Sequence, residues 1–515
     1  MGILLILLVL ALVCTSWRVL NWAWLRPKRL ERLLRQQGLS GSSYKSLSGD
    51  LKESTKMMMD MVSRPIGLHN DILPRVFPFE HQLVNTNGKD SFLWPGTSPR
   101  VFLMHPEQLK EVFSKIDDFQ KLSSSPLVKL LVTGVVNYDG DKWATHRKIM
   151  NPAFHVEKLK LMLPAFQSTC KEMVTWWEKL MGTQECLELD VWTDLQSLTR
   201  DVISRTAFGS SYKDGRRIFD LQIEQTDLVI KSIQKVYIPG WRFLPTKTNR
   251  RMKTIYNEVQ SLIRGMIDER EKAMKTGKAA RDDLLGLMLE SNMREIQENQ
   301  GNNNRKAGMS IQDIIEECRL FYLAGQETTS SLLAWVMVLL SIHPQWQDRA
   351  REEVLQVFGR EQLPDFNGLN HLKIVTMILY EVLRLYPPVP MIGRMVHKAM
   401  KLGTLTIPAG TEVALPILFI HHDKELWGED AKEFKPERFS EGISKATRNQ
   451  VSFFPFGWGP RICLGQNFAL IEVKMAMAMI LQRFIFELSP SYAHSPISTI
   501  SLQPQHGVQV TLRRY

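Results

Sequence analysis

Apolar positions recur at helical spacing through most of this 515-residue chain. Runs with apolar neighbours at i, i+3, i+4 and i+7 predict helices near 107–118, 155–182, 190–207, 215–235, 248–275, 310–342, 344–358 and 368–386. Another opens near Leu464, in QNFALIEVKMAMAMILQRF. Strand-like runs are fewer. Residues 81–103 hold short apolar pieces ending in Arg100-Val101-Phe102-Leu103-Met104, and the tail near 485–513 adds more. Within 402–415, Leu405 to Val413 reads as a hairpin about a Pro408-Ala409-Gly410 turn. Residues 295–308, EIQENQGNNNRKAG, are polar and aperiodic and read as a surface loop. The pattern predicts a large, mainly α body with small β-sheets.

The N-terminus departs from this pattern. Ile3 to Trp17 are almost wholly apolar, and Val19 to Leu25 continue the run after Arg18. A spanning helix needs about 20 such residues, which this segment reaches if Arg18 snorkels to the interface. Trp17, Trp22 and Trp24 suit an interfacial belt, and Arg26, Lys28, Arg29, Arg32 and Arg35 follow on what should be the cytosolic side. A cleaved signal peptide would want basic residues before the apolar run and small residues at a cleavage site. A signal-anchor fits better. Residues 1–25 are thus read as one transmembrane anchor helix, 26–50 as a basic juxtamembrane linker, and 51–515 as the body. The linker carries only Pro27 and the Gly38–Ser43 stretch, which leaves its stiffness open.

Charge and cysteine content narrow the class. The net charge of +11 comes without a nucleic-acid-binding module, so an anionic membrane surface or an acidic protein partner fits better than nucleic acid. Five cysteines in so long a chain do not make a disulfide framework, and no N-x-[ST] sequon occurs. Both suit a body facing the cytosol.

Four groupings carry chemistry. Phe456-Gly457-Trp458-Gly459-Pro460-Arg461-Ile462-Cys463-Leu464-Gly465 sets one cysteine in a glycine-bracketed loop before a helix. Unpaired N–H groups at such a helix start favour a thiolate, although a lone cysteine also packs as a small hydrophobe. Ala324-Gly325-Gln326-Glu327-Thr328-Thr329 breaks the apolar face of the 310–342 helix, which Ser310 and Asp313 should cap. At about 1.5 Å per residue that helix spans roughly 45–50 Å. Its polar break reads either as a kink with hydroxyls bonded to the backbone or as a site. Glu381 and Arg384 stand one turn apart in a very apolar run, so they must pair in the interior. Trp143 and Arg147 share one helical face. His146 and His421-His422 lack matched metal-ligand spacing and read as surface or core residues.

The pattern F-x-x-G-x-R-x-C-x-G over Phe456–Gly465 resembles the haem-ligand loop of the cytochrome P450 superfamily, and the other groupings fall in that family's order. The resemblance covers nearly the whole chain and implies a P450-like haem-thiolate fold behind the anchor. It implies haem b with Cys463 as axial ligand, flanked by Phe456 and Gly465. Trp143, Arg147, Arg394 and Arg461 would hold the propionates. Glu327 and Thr328 would be the catalytic acid–alcohol pair, with Glu327 relaying protons and Thr328 donating a hydrogen bond at the oxygen site. Glu381, Arg384 and Arg438, the last in Pro436-Glu437-Arg438-Phe439, would form a structural lock.

No flavin or nicotinamide fingerprint is present, so the resemblance also implies NADPH used indirectly. Electrons would come through NADPH–cytochrome reductase, with a b-type cytochrome as a second donor, docking on a basic face around the cysteine loop. The implied reaction is monooxygenation of a lipophilic substrate with O2 at the endoplasmic reticulum membrane. Substrate contacts are expected from Ser123–Val136, from the helix around Phe321 and Ala324, and from Val389–Ile392. The stretches CRLFYLAGQETTSSLLAW and FFPFGWGPRICLGQNFAL resemble the plant seventy-two clan, whose members act on triterpenoids, steroids, iridoids and gibberellins. A triterpenoid or steroid is the first expectation, an iridoid or gibberellin the second. A hydroperoxide-rearranging relative would lack the acid–alcohol pair. A non-oxygenase haem protein or a membrane-anchored scaffold is a remoter reading.

Overall fold

The apolar run after residue 310 folds into one helix, Ile311–Ile342, and most of the body packs around it. It begins where the sequence places it. Ser310 Oγ accepts from the Asp313 N–H (3.2 Å), and the Asp313 carboxylate accepts from the Ser310 N–H (3.0 Å), closing the capping box. Residues after Ile314 are nearly all buried. Val191–Phe208 makes the helix's most extensive contact, and Lys373–Leu385, Gln466–Arg483 and Lys247–Lys275 pack around it. The computed structural model describes residues 2–515 except 123–124, 210–211, 234–239, 277–282 and 300–307.

Predicted and observed helices agree within a few residues at Pro106–Ser114, Val156–Met181, Val191–Phe208, Tyr212–Ile233, Lys247–Lys275 and Pro344–Phe358. The predicted 368–386 helix is two, Phe366–His371 and Lys373–Leu385. Residues 295–299 end a helix, Leu284–Asn299, and 300–307 of the expected loop lie outside the described residues. Residues 81–87 are also helical, within Pro78–Asn87, so the strands there are only Ser91–Leu93 and Arg100–Phe102.

The largest sheet has six strands, in the order Ser40–Gly41, Ser91–Leu93, Arg100–Phe102, Thr411–Leu415, Ile392–Val396 and Phe119–Lys121. The hairpin expected over 405–413 does not form. Leu405–Ile407 pairs back onto Met400–Leu402, whereas Thr411–Leu415 joins the large sheet between Arg100–Phe102 and Ile392–Val396. Pro408 has no N–H to give a ladder, and Gly410 (φ +84°) turns the chain so that its N–H meets the Val396 carbonyl. The tail supplies Phe484–Leu488, which pairs with Gln509–Arg514, the latter pairing in turn with Cys186–Asp190, and a hairpin of Pro496–Ser498 with Leu502–Pro504.

Gly2–Gln36 is one continuous helical run, long and apolar enough to cross a membrane, and none of Gly2–Leu20 is buried. The central helix passes the same test of length and composition but lies inside the body. Residues 26–36 dock on the body. Leu30 and Leu34 are buried. Glu31 pairs with Lys28 (2.9 Å) and Arg35 (3.2 Å), and its carboxylate also accepts from the Tyr44 N–H. Tyr44 O–H donates to the Ala23 carbonyl (2.6 Å), and its ring packs between Trp24 and Trp94.

Candidate active site

Cys463 sits two residues before Gly465, the N-cap of Gln466–Arg483. Gly457 (φ +74°) and Gly459 (φ +71°) occupy left-handed backbone, which glycine adopts without strain. A Cβ at Gly459 would also meet the Phe113 carbonyl at 3.1 Å. The loop closes with the Cys463 N–H donating to the Phe456 carbonyl (2.8 Å). Cys463 is exposed, although its loop lies deep in the body. That burial pushes the thiol pKa up, opposed by the Gly465 N–H and Arg147. The helix start therefore moderates the burial cost without overcoming it. A metal that replaces the thiol proton would do so.

Behind the loop the interior lock is built as the sequence implies. Glu381 and Arg384 are fully buried and joined by two hydrogen bonds, 2.8 and 2.7 Å. Arg438 Nε stands 3.4 Å from Glu381. Arg384 also donates to the carbonyls of His421 (2.7 Å) and Ala431. His421 and His422 are core residues. His421 Nδ1–H faces the Arg384 carbonyl (3.2 Å), and Nε2 accepts from the Phe454 N–H (3.2 Å), so this histidine ties the lock to the root of the cysteine loop.

On one flank of Cys463 lies a cluster of cations. Arg147 donates to the Ile462 carbonyl (2.7 Å), beside the cysteine. Arg461 donates to the Tyr138 carbonyl (2.8 Å), pairs with Asp139, and lies 4.5 Å from the Trp143 ring centroid. Arg394 is 4% exposed, and among the described residues its guanidinium donates only to its neighbour's carbonyl, Gly393 O (3.0 Å). Opposite it in the sheet register stands Lys121, which the sequence reading missed. Burial, then Arg394 and Arg461, bring the Lys121 pKa down to about 7. Nothing in the residues around Lys121 signals this. Only the pairing of Phe119–Lys121 with Ile392–Val396 brings it to Arg394.

On the other side runs the central helix. Ala324 is exposed in the middle of an otherwise buried element, so it faces an internal space. Gly325 permits Ile203 to approach; a Cβ there would lie 2.8 Å from Ile203 Cδ1. The Thr328 hydroxyl donates to the Ala324 carbonyl (2.8 Å), so in this arrangement it offers an acceptor, and donation toward the site requires the O–H to turn about the Cβ–Oγ1 bond and give up that contact. Glu327 accepts from Ser501 Oγ (3.0 Å), in the C-terminal hairpin. Burial raises the Glu327 pKa, opposed by Ser501, Arg200 and Gln326.

His146 belongs to a further buried group. Its Nδ1 lies 2.6 Å from Glu317, whose carboxylate also takes the Val135 N–H (2.9 and 3.1 Å). This clamps Thr133–Val136, part of the expected substrate loop, onto the central helix. Ser123 and Ser124 of that loop lie outside the described residues.

The cytochrome P450 family model matches residues 78–512. The chain belongs to the cytochrome P450 family. It is similar to cytochrome P450 72A397 of Kalopanax septemlobus, 57% identical over 499 residues that cover 97% of this chain and 95% of the relative. Cytochrome P450 72A15 of Arabidopsis thaliana is 55% identical, covering 97% and 96%. The solved structure of retinoic acid bound cyanobacterial CYP120A1 shares the fold, with a TM-score of 0.75 at 22% identity over 93% of this chain and 99% of that one. This is a P450 monooxygenase of the 72A type, and the family and fold imply a haem held by a cysteine thiolate.

The residues present fit that group. Among the described residues, the cluster of Lys121, Arg394 and Arg461 faces the carboxylate of Asp139, with Asp117 also acting on Arg461, and the buried Arg461 Nε has no hydrogen-bond partner. Such a cluster suits the two carboxylates of a haem. A Cβ on Gly465 would meet nothing nearer than the Phe154 ring at 4.0 Å, which leaves the loop open to a flat macrocycle.

Proposed function

We propose that this P450 inserts one oxygen atom from O2 into a C–H bond of a lipophilic plant metabolite, with a triterpenoid or steroid scaffold as first choice. Cys463 is the haem ligand in this reading. Trp143, Arg147, Arg394, Arg461 and Lys121 hold the propionates, and Phe456 and Gly465 complete the cradle. When bound, the thiolate-ligated haem supplies the activation of O2, and the second oxygen atom leaves as water.

The chain's own residues then do three things. The apolar side chains of Phe321 and Leu323 on the central helix and of Val389 and Ile392 on the segment after Pro388 bind the substrate by burial and exclude bulk water, with few polar contacts to orient it. Glu327 holds a proton at Oε1 or Oε2, the charge state that burial favours by raising its pKa. Thr328 Oγ1 positions the last hydrogen bond at the site.

NADPH electrons arrive through a separate reductase. A groove of about 490 Å³ lies against the outer side of the cysteine loop, lined by Phe456, Gly457, Trp458, Lys110 and Gln450, and gives the donor an approach to that loop. The exposed apolar helix followed by Arg26, Lys28, Arg29, Arg32 and Arg35 supports a single-pass anchor in the endoplasmic reticulum with the body in the cytosol.

The observation that carries the reading is the exposed Cys463 set beside Arg147 and the cation cluster, with the Glu327–Thr328 break in the central helix. The test is turnover with a plant reductase and NADPH against triterpenoid, steroid, iridoid and gibberellin substrates, with products identified by mass. A hydroxylated triterpenoid or steroid supports the first choice. Oxidation confined to the iridoid or gibberellin set transfers the assignment to that class. A protein that binds haem and consumes no substrate in any set contradicts the oxygenase reading.

A further inference from the structure

Glu327 is held from outside its own helix. Ser501 lies 174 residues further on, between the strands of the C-terminal hairpin, and its hydroxyl donates to Glu327 Oε1 at 3.0 Å. Ser331, one turn on from Glu327, places Oγ 2.9 Å from Ser501 Oγ and 2.9 Å from the Glu327 main-chain carbonyl. Both serines are fully buried. The hairpin itself is pinned, because Trp335 Nε1–H donates to the Leu502 carbonyl (2.7 Å) and the Leu502 N–H donates to the Pro388 carbonyl (2.9 Å).

The arrangement satisfies both charge states of the acid. With Glu327 ionised, Ser501 donates to the carboxylate and Ser331 donates either to Ser501 or to the Glu327 carbonyl. With Glu327 protonated, the carboxyl donates to Ser501, Ser501 to Ser331, and Ser331 to the Glu327 carbonyl. Each hydroxyl has one proton and spare acceptor capacity, so the protonated acid fills all three contacts and the ionised acid two, and the bond between Ser501 and the carboxyl group is kept in both states. We propose that Ser501, with Ser331, is a positioning residue for proton delivery, holding the Glu327 carboxyl in one place through both its protonation states.

A second observation ties this clamp to the substrate. Ile500, adjacent to Ser501, packs with Leu127, Leu131 and Leu323, on the wall expected to meet substrate. One side of the hairpin tip thus faces that wall and the other holds the acid. Arg200 from Val191–Phe208 is the charged group that acts on Glu327, and Gln326 is the polar neighbour on its own helix.

The inference rests on the reading of Glu327 as the proton-handling acid, and the experiment separates the two. Four variants of the full-length haem-loaded protein are compared: Glu327→Gln, Ser501→Ala, Ser501→Thr and Ser331→Ala. The readouts are product formed per NADPH, peroxide released, and the infrared carboxyl band of Glu327 across pH, assigned by its loss in Glu327→Gln. Ser501→Ala is expected to lower coupling about tenfold, consistent with one lost hydrogen bond to a charged group. It should also move the Glu327 carboxyl titration upward by about one pH unit, since a bond that favours the charged form is gone. Ser501→Thr keeps a hydroxyl and should restore both. Ser331→Ala should shift the band in the same direction by less, and it carries the test if Ser501→Ala does not fold. If Glu327→Gln couples normally, the role of Glu327 falls, and the clamp with it. If Glu327→Gln uncouples while Ser501→Ala leaves both coupling and the carboxyl band unchanged, the positioning role of Ser501 is wrong and that of Glu327 stands.

Discussion

Cys463 shows how much one residue's surroundings decide. Its loop is legible in sequence because glycine, arginine and cysteine at fixed intervals answer to backbone needs that few other residues meet. Gly457 and Gly459 do sit at positive φ. Burial raises the Cys463 thiol pKa, opposed by the Gly465 N–H and Arg147. Lys121 and Ser501 were not legible, since each reaches the site through a partner more than 170 residues away. Thr328 tests the acid–alcohol reading at this scale. Thr328→Ala removes the hydroxyl that bonds to the Ala324 carbonyl. NADPH oxidation should continue while product per NADPH falls about tenfold or more and peroxide rises, an effect of the size a positioned proton donor supplies. Unchanged coupling would remove Thr328 from the mechanism.

At the scale of elements, helices were legible and sheet partners were not. A 3.6-residue period is local and survives any arrangement of the body, so Ile311–Ile342 and Val156–Met181 fall where the pattern puts them. Strand pairing is settled by distant chain. Leu405–Ile407 and Thr411–Leu415 read as a hairpin, yet Thr411–Leu415 finds a better place between two strands of the large sheet. The clamp of Thr133–Val136 onto the central helix is likewise tertiary. Glu317→Ala would leave His146 and the Val135 N–H without their buried acceptor. It should cost about 3 kcal/mol of stability, as breaking a buried pair does, and raise KM for a substrate that this loop contacts. Glu316→Ala, which removes a half-buried acceptor from the Thr133 and Tyr138 hydroxyls, should cost about 1 kcal/mol. Equal effects of the two, measured by chemical denaturation, would show that the Glu317 clamp is not what orders the loop.

The whole molecule joins an exposed apolar N-terminal helix to a body that holds the cysteine loop. The length of the anchor could be read from hydropathy, but its continuity with residues 26–36 could not. A signal existed there, because Pro27, Leu30, Glu31 and Leu34 share one helical face, and all four are buried. Stability against pH belongs to this scale too. His494 is buried against the Tyr386 and Tyr492 hydroxyls, and burial brings its pKa from 6.5 down to about 4. His421 and His422 are lowered for the same reason. In the unfolded chain these groups take up protons near pH 6.5, and in the folded protein they resist doing so. Their contribution is therefore complete above pH 6.5 and is lost as pH falls toward 4, by on the order of 3 kcal/mol for His494 alone. Melting curves should show a flat limb above neutrality and a steep acid limb, less steep in His494→Gln. An acid limb of equal slope in both would mean that His494 does not report on this region.

The central claim, a haem held by Cys463, is tested most directly by the carbon monoxide difference spectrum of the reduced, detergent-solubilised protein. The account predicts a strongly red-shifted Soret band, retained when Cys170, Cys186 or Cys318 is replaced and lost in Cys463→Ser. A folded protein without the band, or a band that survives Cys463→Ser, would contradict the assignment of the ligand and every role built around it.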